Sequence, residues 1–258
     1  LNVKNNGIVD LQELENSIKD ETYLISVMHA NNEIGVIQPI DEISNICLKH
    51  NIKLHIDAAQ SIGKINFNVK KKHISSVSIS GHKIYGPKGI GAIYINPSNR
   101  KNIKPILFGG SHENGFRAGT LAVHNIVGMG KAAEICSKNI ENESKRIKKL
   151  RQQLMTIICE SLPNTIINGD MKKRLPGNLN ISFSDIISEP LIPNLKEIAI
   201  SSGSACTSAT PEPSHVLKAI GLSNKLIKNT IRIGIGRFNT QEEINKAGNH
   251  IVKIIKKE

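Results

Sequence analysis

Four stretches of the sequence set chemically capable side chains among small ones. In residues 54–61, Leu-His-Ile-Asp-Ala-Ala-Gln-Ser, Asp57 ends an apolar run and is followed by small residues. A carboxylate there either caps a helix N-terminus or aims into a strand-end crevice, where it would stabilise a protonated heterocyclic nitrogen. In residues 78–89, Lys83 follows Ser80 and His82 and precedes a Gly/Pro-rich turn. Desolvation in such a crevice disfavours the ammonium form and frees the amine as a Schiff-base nucleophile; the plain alternative is a loop lysine. The spacing is not that of a Walker A loop, and no GxGxxG dinucleotide fingerprint occurs. Residues 109–120, Gly-Gly-Ser-His-Glu-Asn-Gly-Phe-Arg-Ala-Gly-Thr, form a Gly-rich loop ahead of a helix, suited to a phosphate or simply to the surface. In residues 201–209, Cys206 lies in a run of small and hydroxyl residues with no packing stripe, where a thiol can meet a substrate. Cys47, Cys136 and Cys159 have apolar helical neighbours and read as inert core thiols. Two supports remain. Asn31-Asn32-Glu33-Ile34-Gly35 offers amide groups after an apolar run, and Arg232 sits within an apolar strand. A buried arginine needs an anion, either a substrate carboxylate or a structural salt-bridge partner.

These groups need elements to hold them. Residues 24–28, 53–56, 77–79 and 90–95 read as short buried strands. Between the first two, Asp41 and Glu42 open a helical pattern through Ile43, Ile46 and Cys47. Strand–helix–strand alternation predicts a mostly parallel α/β sheet, whose ligands lie beyond the carboxyl ends of its strands. A long helix is expected over 123–162, with Ile140, Ile147, Leu150, Leu154 and Ile158 as its apolar stripe. It leads into a smaller α+β part with strands at 179–183, 198–201 and 231–235. A last helix opens on the capping-box spacing of Thr240 and Glu243. The expected domains are residues 1–138 and 139–258.

The chain has 258 residues, 39% of them hydrophobic and 22% charged, as in a soluble globular protein. The apolar runs are too short to span a membrane. The net charge is +12, but the basic residues are scattered, aromatics make up 3% and Trp is absent. A nucleic-acid partner is therefore not expected. The four cysteines form no C-x-x-C pair, so neither a zinc site nor a disulfide framework is indicated, and a reducing compartment follows.

Taken together, Asn-Asn-Glu-Ile-Gly, His-Ile-Asp-Ala-Ala-Gln-Ser, Ser-Gly-His-Lys-Ile-Tyr-Gly-Pro-Lys-Gly and Ser-Ser-Gly-Ser-Ala-Cys-Thr-Ser resemble cysteine desulfurases of the NifS/IscS type, group I. These are class V aminotransferase-like enzymes of the PLP-dependent transferase fold type I. The resemblance runs through nearly the whole chain, in order. It implies pyridoxal 5'-phosphate as cofactor, with Lys83 as the Schiff-base lysine, Asp57 on the pyridine nitrogen and Gln60 on the ring hydroxyl. Ser80 and His82 would bind the phosphate, His82 would also move protons, and Thr120 would reach the phosphate across a homodimer interface. Asn32 and Arg232 would hold the carboxylate of L-cysteine. Cys206 would take the sulfur as a persulfide, leaving L-alanine. The acceptor would be an iron–sulfur scaffold protein or tRNA thiolation. No intrinsic metal is implied, only a shared iron–sulfur cluster at Cys206. The compartment would be a prokaryotic cytoplasm or the mitochondrial matrix.

Relatives of this kind carry an N-terminal portion with a ring-stacking histidine and a phosphate-binding Thr segment that have no counterpart here. The expectation is an N-terminally truncated chain whose large domain lacks strands and which binds cofactor weakly by itself. The short C-terminus departs from the extended tail of many relatives, and Pro190 interrupts an expected helix. The alternatives are another class V activity, such as a selenocysteine lyase or an aminotransferase, or an inactive fragment acting as a non-catalytic binding protein.

Overall fold

The computed structural model describes residues 1–71, 73–184, 191–201 and 213–257. Cys206 and Pro190 lie outside them. In chain order the helices and strands are α1 (Leu11–Asn16), β1 (Leu24–Met28), α2 (Ile40–Lys49), β2 (Lys53–Asp57), β3 (Ser76–Ser80), β4 (Gly91–Ile95), α3 (Val123–Ser161), β5 (Thr165–Ile167), β6 (Asn178–Phe183), α4 (His215–Ala219), α5 (Asn224–Lys228), β7 (Thr230–Gly234) and α6 (Gln241–Ile255). The chain divides into two compact units. One comprises Ile18–His29 and Ile40–Ile140; the other comprises Leu1–Ser17, Ala30–Pro39 and Glu141–Glu258.

The first unit is built on a four-stranded sheet of order β1-β2-β3-β4. β1, β2 and β3 run parallel, and β4 returns antiparallel to β3. Leu54 and Ile56 on β2 and Val77 on β3 are fully buried. They alternate with polar residues, as a strand with two different faces requires. On the other face His55 bridges its neighbours, with Nδ1 2.7 Å from Ser26 Oγ and Nε2 3.2 Å from Ser78 Oγ. The α2 helix buries Ile40, Ile43 and Cys47, which recur at helical spacing behind the acidic first turn of Asp41 and Glu42. As expected for core thiols, Cys47 and Cys136 are buried and Cys159 is partly so. Burial pushes the Cys47 thiol up to about 11.

The second unit centres on the antiparallel sheet β5-β6-β7. One face carries Leu179, Ile181, Phe183, Ile231 and Ile233. These pack with Ile147, Leu150, Leu154 and Ile158 of α3 and Ile244, Ile251 and Ile255 of α6. The other face carries Asn178, Asn180, Ser182, Thr230 and Arg232, with Asn180 opposite Arg232 and Ser182 opposite Thr230. The α6 helix opens with the expected capping box between Thr240 and Glu243. Residues 198–201 are not the expected strand. A 3-10 turn at Ile192–Asn194 and the Ile198 N–H bond to Leu195 C=O keep this stretch folded back, and only Ser201 bridges to β7, at Arg232.

Candidate functional site

In the first unit the polar residues cluster where the parallel strands end. Asp57 is the last residue of β2 and Ser80 the last of β3. A 3-10 turn, Gly81–Ile84, follows at once and carries His82 and Lys83. The turn is pinned by Gly81 N–H on Ile90 C=O and Gly86 N–H on Gly81 C=O, both 3.0 Å. Gly81 is required there, because a Cβ would lie 2.9 Å from the Ile90 carbonyl oxygen. Tyr85 closes the turn in the left-handed region, at φ 66°.

Asp57 accepts the Ala59 N–H on Oδ1 at 2.9 Å. Its other oxygen has no hydrogen-bond partner among the described residues, so the local turn explains half of this carboxylate. Half-buried Gln60 likewise has no hydrogen bond to its amide among the described residues. Ser80 Oγ and His82 Nδ1 are 3.0 Å apart. Lys83 is exposed and makes no ion pair with a described residue. A half-engaged carboxylate, an unengaged amide, a serine–histidine pair and an unpaired lysine at adjoining strand ends suit a phosphorylated, protonated heterocycle, so the residues present fit pyridoxal phosphate. Lys64, which sequence reasoning passed over, is also in this unit. Its pKa falls to about 8, first through burial and then through the Lys83 ammonium.

Thr120 is exposed and lines a cavity of about 660 Å³ with Arg100, Arg117 and Phe116. The Gly-rich loop before it contains one short turn, His112–Gly115, with Glu113 and Asn114 at positive φ. The helix that follows starts only at Val123. Ile106 and Phe108 beside this loop are 89% and 83% exposed.

Asn32 and Arg232 meet in the second unit. Asn31 serves the backbone: its Oδ1 accepts from Glu33 and Ile34 N–H at 2.8 and 3.0 Å. The Asn32 carbonyl accepts from Arg232 NH1 at 3.2 Å, and Arg232 Nε donates to Ser201 Oγ at 3.0 Å. Arg232 is half-buried and no carboxylate pairs with it among the described residues. The salt-bridge alternative is thus without a described partner, and the guanidinium keeps donors for an anion. Sequence reasoning missed the polar residues that support this pair: Asn178 and Asn180 donate to the Glu33 carbonyl at 3.0 and 3.3 Å. Their signal was present as polar residues at alternate positions, Asn178, Asn180 and Ser182, between Leu179, Ile181 and Phe183.

Residues 1–246 match the family model Aminotransferase class-V. The chain belongs to that family. Over its whole length it is 49% identical to the mitochondrial cysteine desulfurase of Arabidopsis thaliana, of which it covers 57%. Over 95% of its length it is 48% identical to the cysteine desulfurase IscS of Pasteurella multocida, of which it covers 60%. Among solved structures, a NifS-like protein superposes over the whole chain with a TM-score of 0.88 at 34% identity, and 68% of that protein is covered. The architecture is therefore the expected fold type I α/β arrangement. The chain spans about three fifths of the length of these curated relatives. Among the described residues no helix is long and apolar enough to cross a membrane, and no cluster of metal-binding side chains occurs.

Proposed function

We propose that the chain supplies the binding and sulfur-transfer residues of a cysteine desulfurase, which converts L-cysteine to L-alanine and leaves the sulfur as a persulfide on Cys206. The observation that carries this reading is Arg232, half-buried and held, among the described residues, only by neutral oxygens. A guanidinium held this way keeps its charge and donors for the carboxylate of an amino acid. The Asn32 side chain, which makes no hydrogen bond to a described residue, supports the same assignment.

Pyridoxal phosphate, when bound, supplies an electron sink for negative charge at the substrate α-carbon. Asp57 would use its unengaged oxygen on the ring nitrogen, Gln60 its amide on the ring hydroxyl, and Ser80 with His82 the phosphate. Lys83 would attach the cofactor, take the proton from the α-carbon and return it there in the product. The Cys206 thiolate then bonds to the substrate sulfur. The substrate Cβ–S bond breaks, its electron pair stays on Cβ, and a proton completes the methyl group of alanine. Cysteine plus thiol thereby gives alanine plus persulfide, with no external oxidant.

Thr120 would serve the phosphate of a second copy. Exposed Ile106, Leu107, Phe108, Val123 and Val127 support a homodimer. The persulfide would pass to an iron–sulfur scaffold protein or another sulfur acceptor, in a prokaryotic cytoplasm or, as the name of the plant relative suggests, in a mitochondrion. The test is to load the chain with pyridoxal phosphate, add L-cysteine, and measure alanine and the Cys206 persulfide by mass spectrometry. Both products are expected, and Cys206→Ala should abolish both while retaining the cofactor's absorbance. Keto-acid-dependent amino transfer that survives Cys206→Ala would replace this reading with an aminotransferase.

A further inference from the structure

We propose that Ser201 is a positioning residue for Arg232, setting the guanidinium so that it meets a carboxylate end-on. The inference rests on the reading that Arg232 receives the substrate carboxylate.

Ser201 and Arg232 meet three times. Arg232 N–H donates to the Ser201 carbonyl at 2.8 Å, and Ser201 N–H donates back at 3.3 Å. Arg232 Nε–H then donates to Ser201 Oγ at 3.0 Å. The backbone bridge fixes the two residues side by side, so the hydroxyl is delivered to Nε by the chain itself. On its other side the guanidinium donates from NH1 to the Asn32 carbonyl at 3.2 Å. That carbonyl is held in turn, because adjoining Glu33 is locked three ways. Asn178 and Asn180 donate to its carbonyl, and Ser214 Oγ donates to its Oε2 at 2.6 Å. Glu33 and Ser214 are 1% and 7% exposed.

A guanidinium is planar, so two contacts on different nitrogens fix its plane. With Nε engaged, the side-on fork of Nε and a terminal nitrogen is closed. Among the described residues the remaining three N–H groups all belong to the terminal nitrogens, which leaves the end-on approach available. Both holding groups are neutral. An aspartate in place of Ser201 would compete with the substrate for the same charge, whereas a hydroxyl orients the guanidinium and leaves its charge to be used.

The test compares Ser201→Ala, Ser201→Thr and Arg232→Lys by two measurements. The first needs no cofactor: 15N NMR of the arginine Nε–H region, with the Arg232 signal assigned by its loss in Arg232→Lys. Ser201→Ala should speed solvent exchange of that signal about tenfold, the scale of one lost hydrogen bond to a charged group, and Ser201→Thr should not. The second is a spectroscopic titration of the cofactor-loaded chain with L-alanine and with ethylamine, which lacks the carboxylate. Ser201→Ala should weaken alanine about tenfold and leave ethylamine unchanged, with Ser201→Thr restoring alanine. Unchanged Nε–H exchange in Ser201→Ala overturns the proposal, as does equal weakening of both ligands. Should Arg232→Lys alone discriminate alanine from ethylamine, the carboxylate reading stands and the role of Ser201 falls. Should Arg232→Lys weaken both ligands alike or neither, the carboxylate reading itself falls.

Discussion

Replacing Lys64 by methionine tests the electrostatics of the strand-end cluster. Lys64 is half-buried, and its pKa drops from 10.5 to about 8, through burial first and the Lys83 charge second, with a small opposing effect from Cys136. In the unfolded chain the ordinary value returns. Below about pH 8 both states carry the proton, and the folded state bears the full cost of a poorly solvated charge. Between about pH 8 and 10.5 the folded chain releases a proton that the unfolded chain keeps. The unfolded state then binds more protons, and stability rises with pH across that window. The shift corresponds to about 3 kcal/mol at 1.36 kcal/mol per pH unit, and to about 2 kcal/mol once the residual solvent contact screens the charge. Lys64→Met removes this titration. The variant should therefore be more stable than the native chain by about 2 kcal/mol near pH 7, and the gain should vanish near pH 10.5. Urea denaturation followed by circular dichroism, on both proteins at about pH 7, 8.5 and 10, measures it. A gain that stays constant across those pH values, or a variant less stable at neutral pH, would refute the reasoning.

Two further outcomes concern the second unit. Leu154 is fully buried in the cluster between α3 and the sheet, so Leu154→Ala should cost about 3 kcal/mol in the same denaturation assay. Thr240→Ala removes a reciprocal cap, with the Glu243 N–H on Thr240 Oγ1 at 3.2 Å and the Thr240 N–H on Glu243 Oε2 at 3.0 Å. It should lower stability by about 1 kcal/mol, read as a drop in the thermal midpoint.

What could be read from the sequence was what repeats locally. Leu54 and Ile56, and Val77 and Ile79, gave β2 and β3 because apolar residues at alternate positions mark a strand with one buried face. The stripe through Ile147, Leu150, Leu154 and Ile158 gave α3, since only one face of that helix enters a core. The capping box gave the start of α6. Shorter elements escaped. The α1, α4 and α5 helices have only five or six residues each and take their starts from single side-chain caps at Asp10, Ser214 and Ser223. Residues 198–201 carry isoleucines at strand-like spacing, yet a turn upstream leaves them one bridge. For the candidate site, Asp57, Ser80 and Lys83 could be located because each follows an apolar run. Asn32 and Arg232 could be named together, but their other supports could not. Ser201 and Asn180 come from distant parts of the chain, and their meeting with Arg232 depends on strand register that no local pattern encodes.

The order β1-β2-β3-β4 has one consequence for handling the protein. Among the described residues no strand lies beside the outer backbone groups of β1 and β4 in this sheet. Their neighbourhood is greasy: Tyr23, Leu24 and Ile93 are all half or more exposed. Such margins act as templates on which further strands can grow. At high concentration the isolated polypeptide should therefore self-associate edge to edge, and a lysine at position 24 or 93 would be the simplest way to keep it dispersed.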